Sequence, residues 1–580
     1  MGEQVRESFR PTVIGRHYAV ATGHYLATAA AVRVLERGGN AIDAGVTAAM
    51  ALAVVQPDIV CFAGVAPTLI YLANERRAVS FSGVGHWPAK TDVERLRVEG
   101  GGHVPEGLLR TVVPVAPAVN IAALRRYGTI SFEEAATPAM ELARDGFAMY
   151  PMLRHTIDTQ AARFARWPEN RRIFRPGGCT PRLGDRFVQA DLARTIAGMI
   201  EAERRGHGGR AAKLGAAHDH FYRGPVARTI ASYHAANGGF LTLDDLASYE
   251  ATLEEPLACT YRGLTVLACD TWCQGITLLE ALKILEGTPV ATLSHNAPAY
   301  VHAVVQALDL AFADREAFCG DPAFVKVPAA GLVSDGYAAV QRARLDPARA
   351  FAAMPSPGEP WAHQGVAGAA RVDVAIAGSA GPVPTSLDTI HASIVDRWGN
   401  AFSVTPSDTA YDTPIIPGTG LAVSSRGSQG RLTPGHAAEV KAGKRPRLTP
   451  TPGLALRDGE LCVSFGTPGG DIQCQAMLQV LLNVVEFGMP VQQAVEMPRV
   501  GTFNFPNSFA PHAYLPARLC VEDRVAAGTI DTLRGLGYDV EVWPGFAWQS
   551  GAVCAVYRDP ETGLLHAGAD PRREAYAAAW

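Results

Sequence analysis

Thr389 is the residue whose position most directly suggests chemistry. It opens the stretch TIHASIVDRWGN (389–400), in which apolar and polar residues alternate. That pattern predicts a half-buried strand, ended by the turn residues at 396–400. A threonine hydroxyl is a weak nucleophile unless a base removes its proton, and the free α-amine of a chain-terminal threonine can be that base. A cut before Thr389 would therefore create a nucleophile.

The chain before Thr389 suits such a cut. Residues 352–388 are rich in Gly, Ala and Pro and show little periodicity, so they are predicted to form a linker. A flexible linker would let the Asp388–Thr389 bond be cleaved, while a strand after it would hold Thr389 rigidly. Many strands begin with a threonine after a loop, however, and an ordinary loop-to-strand junction explains this pattern equally well.

A second candidate is FGTPGG at residues 465–470. It follows a predicted strand and opens a helical pattern at 471–488. Glycines there let backbone N–H groups approach a substrate oxygen, and the helix N-terminus adds a favourable dipole, as in an oxyanion hole. A glycine-rich strand-to-helix turn without any catalytic role has the same pattern.

The elements that would position these residues fall into two regions. Residues 27–57 predict two helices separated at Gly38-Gly39-Asn40, and the second is so apolar that it should be buried against a sheet. Residues 67–83 predict two strands joined by a charged turn, and helical patterns dominate from about 120 to 350. After the linker, strands are predicted at 389–405, 452–466 and 551–569, with helices near 471–488 and 523–536.

Bulk composition excludes several classes of protein. The 580 residues are 48% hydrophobic and 19% charged, as in a folded globular protein. A net charge of −4 without long Lys/Arg runs argues against nucleic-acid binding. We find no apolar run of about 18 residues and no apolar segment of a secretory signal. We therefore predict a cytoplasmic protein without membrane or nucleic-acid partners.

The ten cysteines contain no C-x-x-C pair, and the closest two are Cys269 and Cys273. Scattered cysteines of this kind are usually buried thiols that pack as small apolar side chains. The pattern therefore predicts neither a zinc site nor a disulfide framework.

Taken in order, several long motifs resemble the γ-glutamyltranspeptidase family of N-terminal-nucleophile hydrolases. Together they span almost the whole chain, and coincidence is negligible at their length. The similar segments are GHYLAT with VLERGGNAIDAGVTAAMALAVVQP (23–57), ELARDGF (141–147), NGGFLTLDDLASYEA (237–251), AFADREAFCGDPAFVKVP (311–328), TIHASIVDRWGNAFSVT (389–405), KRPRLTPTP (444–452), FGTPGG (465–470) and GADPRR (568–573).

This resemblance implies an α+β fold, a four-layer αββα sandwich, made as one precursor that cuts itself between Asp388 and Thr389. Residues 1–388, ending in the 352–388 linker, would be a helix-rich large subunit, and residues 389–580 a strand-rich small subunit. A homodimer of that heterodimer is left open. Thr389 would attack a small-molecule amide, form an acyl-enzyme, and pass the acyl group to water or an amine. No metal or organic cofactor is implied.

The resemblance also places residues around the nucleophile. Gly469-Gly470 matches the family's oxyanion-hole pair. Ser407 falls where the family has a threonine that hydrogen-bonds the nucleophile, and it keeps a hydroxyl. Thr405 is alike in position and is expected to support the same strand. The histidines, His391 among them, are expected to be structural, since an N-terminal threonine needs no histidine base.

The positions that grip the glutamyl group depart from the family. Typical members bind the α-carboxylate with an arginine and two serines, where this chain has Ser82-Gly83 and Leu448-Thr449. They bind the α-ammonium with an acidic residue and polar partners, where this chain has Gln429, Thr409 and Arg426. An unpartnered buried charge pays its desolvation in full. The candidate substrate-binding residues are Arg426, Thr409, Gln429 and Thr449.

Arg426 is a new cation in that neighbourhood, able to bind a carboxylate in a bidentate way, although a surface-loop arginine is the alternative. The leading prediction is a self-processing amide hydrolase or acyltransferase whose acyl group is acidic or polar and not a standard γ-glutamyl. Family relatives such as cephalosporin acylases and oxamate amidohydrolases make this plausible. The alternatives are a true γ-glutamyl (glutathione) hydrolase or transpeptidase, and a non-catalytic binding relative. The intact Thr389, Ser407 and Gly469-Gly470 argue against the last.

Overall fold

Two seven-stranded sheets stack face to face at the centre of the computed structural model, which describes residues 8–365 and 389–580. All neighbouring strands in both sheets are antiparallel. In spatial order, the first sheet consists of Val13–Gly15, Leu565–Ala569, Cys554–Arg558, Glu460–Gly466, Pro452–Arg457, Leu264–Ala268 and Leu257–Tyr261. The second consists of Tyr576–Ala579, Ala19–Thr22, Ala392–Val395, Ala401–Val404, Thr68–Leu72, Arg77–Phe81 and Leu253–Glu254. Asp388 and the linker from residue 366 lie outside the described residues.

Helices cover the outer face of each sheet, so the four-layer αββα sandwich is confirmed. The predicted apolar helix, Ala41–Val55, is buried along its whole length against the second sheet. Asn40 and Asp43 form a capping box at its start, which explains why the chain breaks there. The other helices on this side are Tyr25–Glu36, Ala116–Tyr127, Phe132–Asp145, Ala190–Arg205 and Arg210–Tyr222. Those covering the first sheet are Gly275–Glu286, Pro298–Phe318, Ile472–Val485 and Val491–Glu496.

Smaller elements surround this sandwich. The remaining helices are Val93–Glu99, Pro151–Thr159, Ala161–Ala165, Pro168–Phe174, Pro225–Ala236, Leu243–Ala247, Ala329–Leu332, Asp335–Arg342 and Ala527–Gly535. A three-stranded sheet of Val500–Thr502, Arg518–Glu522 and Asp539–Trp543 lies beside the helices that cover the first sheet. Two short two-stranded antiparallel pairs complete the fold, Ile415–Ile416 with Leu421–Ala422 and Phe147–Ala148 with Arg186–Phe187.

Both sheets interleave strands from before and after the 366–388 segment. The first sheet takes three strands from residues 13–268 and four from residues 452–569. The second takes four from residues 19–254 and three from residues 392–579. The two stretches of chain therefore share one sandwich, and neither could leave without breaking ladders in both sheets.

The strand after Thr389 is buried on both faces, so the prediction of a half-buried strand was wrong. All of Ala392–Val395 and Ala401–Val404 is buried. The polar residues of the alternating pattern face the first sheet instead of solvent: Ser393 accepts from Ser464 at 3.0 Å, and Ser403 donates to the carbonyl of Gly453 at 3.2 Å. Polar side chains are tolerated there because they hydrogen-bond one another.

Nine of the ten cysteines are buried as predicted, Cys179 is exposed, and all ten are free thiols. Among the helices of the described ranges, none combines the length and the apolar character needed to cross a bilayer.

Candidate active site

Thr389 is fully buried and sits just before the central strand Ala392–Val395. Its N–H donates to the carbonyl of Ile59 at 3.1 Å. Its backbone φ is 80°, which a β-branched residue rarely adopts and which costs about 1–3 kcal/mol. This φ is the torsion about the N–Cα bond of Thr389, next to the peptide bond predicted to be cut.

A hydroxyl pair surrounds the Thr389 side chain. The Oγ1 atom of Thr389 lies 2.6 Å from Oγ of Ser407, and both side chains are fully buried. Arg426 donates from Nη2 to the same Ser407 oxygen. Because a guanidinium has no acceptor, the Ser407 oxygen accepts from Arg426, and its own proton can point to Thr389. Arg426 thus polarises the Ser407 hydroxyl, which can in turn donate a hydrogen bond to the Thr389 oxygen.

Arg426 is anchored by a buried acid that the sequence analysis missed. The Oδ1 atom of Asp408 lies 3.5 Å from Nε of Arg426. Asp408 also accepts from the Ser424 hydroxyl at 2.8 Å, and from the N–H and hydroxyl of Ser425 at 2.8 and 2.9 Å. Burial raises the pKa of the Asp408 carboxyl, while Arg426 and these donors act to lower it. Nothing in the local pattern marks Asp408, since only folding brings it beside Arg426.

Two of the predicted substrate-binding residues bind each other. Gln429 donates from Nε2 to Oγ1 of Thr449 at 2.7 Å and accepts from the Thr449 N–H at 3.1 Å. Both side chains are buried. The Thr409 hydroxyl is also buried and has no hydrogen-bond partner within the described residues. Of the four candidates, Arg426 is therefore the one that hydrogen-bonds Ser407, the residue in contact with Thr389, within the described ranges.

Gly469 and Gly470 form the turn between strand Glu460–Gly466 and helix Ile472–Val485. Their φ angles are 122° and 58°, which favour glycine. The carbonyl of Gly469 accepts from the N–H of Ile472 at 3.0 Å. Since C=O and N–H point in opposite directions across a trans peptide, the Gly470 N–H points away from the helix. In residues 8–365 and 389–580, neither glycine N–H has an acceptor.

His391 joins the nucleophile strand to the strand that leads to this turn. Its Nδ1 lies 2.9 Å from Oγ1 of Thr405, and its Nε2 lies 2.8 Å from Oγ of Ser393. Burial lowers the pKa of His391 to about 3, so the ring is neutral. A Cβ on Gly466 would lie 2.3 Å from this ring, so the strand that leads to the glycine turn passes directly over it.

Comparison with known proteins identifies relatives over almost the entire chain. The family model for gamma-glutamyltranspeptidase matches residues 27–580. The acylase ACY 1 proenzyme of Pseudomonas sp. (strain SE83) is 32% identical over 503 residues, covering 84% of this chain and 83% of the relative. The glutathione hydrolase-like YwrD proenzyme of Bacillus subtilis (strain 168) is 30% identical over 572 residues, covering 98% and 99%.

A solved structure is also similar to this chain over nearly its whole length. The structure of LmbA2991HD superposes with a TM-score of 0.91 at 33% sequence identity, covering 98% of this chain and 99% of that chain. The two curated relatives are both proenzymes by name.

Proposed function

The chain belongs to the gamma-glutamyltranspeptidase family, and from that premise we propose that it is a self-processing amide hydrolase with Thr389 as nucleophile. The observation that carries this proposal is the buried contact of Thr389 Oγ1 with Ser407, which Arg426 polarises. In processing, Oγ1 of Thr389 attacks the carbonyl carbon of Asp388, and the C–N bond breaks to give an ester and a free α-amine. Water hydrolyses the ester, leaving subunits 1–388 and 389–580.

The strained φ of Thr389 favours this cut because it is released when the preceding peptide bond breaks. Before the cut there is no free amine to act as base. The proton of the Thr389 hydroxyl instead ends on the departing nitrogen of Thr389, and the Ser407 hydroxyl, which accepts from Arg426, donates a hydrogen bond to the Thr389 oxygen as that proton leaves.

After processing, the Thr389 α-amine takes the hydroxyl proton as Oγ1 adds to the substrate amide carbon. The resulting oxyanion is bound by the N–H groups of Gly469 and Gly470, which other protein acceptors do not occupy in the described chain. The amine part of the substrate takes this proton from the Thr389 α-ammonium and leaves, and the acyl group remains as an ester on Oγ1 of Thr389. Water then releases the acid, or a second amine takes the acyl group.

The charges around Thr389 favour an acyl group that carries a carboxylate but no ammonium. Arg426 supplies a cation beside the nucleophile. Asp408 is not offered as an ammonium site, because Ser424, Ser425 and Arg426 already occupy its oxygens. Gln429 and Thr449 close on each other where typical family members grip the glutamyl group. One of the relatives is named an acylase, a name that does not specify a γ-glutamyl group.

The test has two parts. A denaturing gel of the purified chain should show two bands, with the smaller starting at Thr389 by N-terminal sequencing. A single band near full length would overturn self-processing. The processed protein is then given a panel of anilides whose acyl groups carry a carboxylate alone, a carboxylate with an ammonium, or neither. Release of the acid should be fastest from the first group, and robust turnover of γ-glutamyl anilide would overturn the acyl assignment.

A further inference from the structure

Gln274 is a buried residue that connects the glycine turn with the Thr449 loop. It lies immediately before helix Gly275–Glu286 and is fully buried. Its Nε2 donates to the carbonyl of Gly470 at 3.0 Å and to the carbonyl of Thr449 at 3.0 Å. One side-chain amide thus holds both backbone segments that face the substrate in the proposed function.

The orientation of the Gln274 amide is determined by Arg315. Arg315 donates from Nη1 to Oε1 of Gln274 at 2.8 Å. An arginine offers donors only, so the Gln274 oxygen must face it and the NH₂ group must face the two carbonyls. Arg315 is fully buried itself and lies 4.6 Å over the Phe312 ring.

The other end of this network is attached to the glycine turn. Arg315 is ion-paired with Asp471, the residue directly after Gly470. Asp471 is held in turn by the N–H of Ser508 at 2.8 Å and the Ser508 hydroxyl at 2.6 Å. The turn is therefore fixed at two consecutive residues, at the carbonyl of Gly470 and at the side chain of Asp471.

We infer that Gln274 is a positioning residue that anchors the glycine turn carrying the oxyanion-binding N–H groups and keeps that turn in register with the acyl-binding loop. This inference rests on the proposed function, since it assigns Gly469 and Gly470 to the oxyanion. The Gly470 N–H shares a planar peptide group with the Gly469 carbonyl, and the Gly470 carbonyl lies on the other side of the same Cα. Because a glycine imposes little conformation of its own, contacts on both sides of that Cα are needed to hold the turn in one position. The Gly469 carbonyl binds the helix, and the Gly470 carbonyl binds Gln274 and the N–H of Gln473.

Loss of this contact should affect the transition state more than substrate binding. The N–H groups act on an oxygen that becomes negative only as Thr389 adds to the carbonyl. Removing one oxyanion donor outright costs about 10²–10³-fold in kcat. Misplacing such donors should cost a part of that, about 10- to 100-fold, and should slow self-cleavage as well because an oxyanion also forms on the Asp388 carbonyl in that step.

The experiment replaces Gln274 by methionine (Gln274→Met), which keeps the length of the side chain and removes both donors. The self-cleavage rate of the purified precursor and the kcat and KM of the processed protein are measured on the best anilide of the panel. We expect kcat to fall by about 10- to 100-fold with KM changed by less than about 3-fold, and self-cleavage to slow in parallel.

Gln479→Met is the matched control. Gln479 is also a buried glutamine whose Nε2 donates to two carbonyls, those of Gln475 at 2.9 Å and Val500 at 2.8 Å. Gln479 lies about two turns into helix Ile472–Val485 and is thus separated from the glycine turn that precedes this helix. It should lower thermal stability as Gln274→Met does and leave kcat unchanged. A wild-type kcat and self-cleavage rate in Gln274→Met, or equal losses in the two variants, would overturn the inference.

If Gln274→Met does not fold, Gln274→Glu takes its place, since it keeps an oxygen for Arg315 and still removes the donors. The same loss of kcat is expected, and wild-type rates would again refute the inference. Failure of the proposed function has a different signature. An uncut, inactive wild-type chain overturns both, whereas a cut and active wild type with an equally active Gln274 variant overturns only the positioning role.

Discussion

The proposed nucleophile end and the proposed acyl-binding end of this site are formed by different kinds of groups. At the proposed nucleophile end, the hydroxyls of Thr389 and Ser407 lie 2.6 Å apart, just before and just after two neighbouring buried strands of the second sheet. At the acyl-binding end, a buried ion pair of Asp408 and Arg426 lies on loops beyond the strands. In the proposed function, different elements therefore carry the reaction and the choice of acyl group.

The two ends meet at Ser407, which contacts Thr389 on one side and Arg426 on the other. Changes at the nucleophile end should therefore stop all chemistry. Changes at the acyl-binding end should alter selectivity and stability, and a change at Arg426 should also lower the rate because Arg426 polarises Ser407.

The largest effect is expected from Thr389→Ala. Without Oγ1 there is no atom to form either the processing ester or the acyl-enzyme, so the chain should stay uncut and inactive. The loss in kcat should be about 10⁴-fold or more, measured by denaturing gel and by acid release. Thr405→Ala removes a hydroxyl from the same sheet and should still be cut. Cleavage or turnover by Thr389→Ala would place the nucleophile elsewhere.

Ser407→Ala should have the next largest effect. It leaves Thr389 in place but removes the one hydroxyl through which Arg426 reaches it, so we expect kcat to fall by about 10²–10³-fold with slower self-cleavage. Ser407→Thr keeps the hydroxyl and should retain most of the activity. Equal rates in the alanine variant and the wild type would show that the relay has no role.

Arg426→Met tests the acyl-binding end. The ratio of the turnover of acidic acyl anilides to that of neutral ones should fall by about 10- to 100-fold, as expected for a lost charged hydrogen bond. The variant should also lose about 3–5 kcal/mol of stability, because Asp408 is left charged and buried.

Adding Asp408→Asn to this variant separates the two effects. The double variant should recover much of the melting temperature without recovering the preference for acidic substrates. A preference that survives in both variants would mean that Arg426 does not bind the acyl group.

The smallest effect is expected from His391, which lies just before the strand that follows Thr389. Burial lowers the pKa of His391 to about 3, from an ordinary value of 6.5. The folded protein therefore cannot take up the proton that the unfolded chain binds below about pH 6.5, and stability is lost as the pH falls from there, by up to about 1.4 kcal/mol per pH unit. His391→Gln should make the melting temperature less sensitive to pH between 6.5 and 5. An unchanged pH dependence would contradict a buried neutral ring.

Much of the fold and part of the site could be predicted from sequence. The apolar helix Ala41–Val55, the strands Thr68–Leu72 and Arg77–Phe81, and the glycine turn at 469–470 were all predicted, because local periodicity and turn chemistry encode them. The exposure of the strand after Thr389 was predicted wrongly, since alternation does not reveal whether the polar face meets solvent or another sheet.

The sequence by itself determined the glycine turn at 469–470 and the order of helices and strands, and it placed the candidate nucleophile, since each depends on neighbouring residues. Only the tertiary structure decided that Arg426 reaches Ser407 with Asp408 behind it, that Gln429 and Thr449 pair, and that Gln274 bridges to Gly470. The last of these contacts joins residues 196 positions apart. The physical reason is that buried polar and charged groups must find partners, and which partners are near depends on how the two sheets and their loops pack.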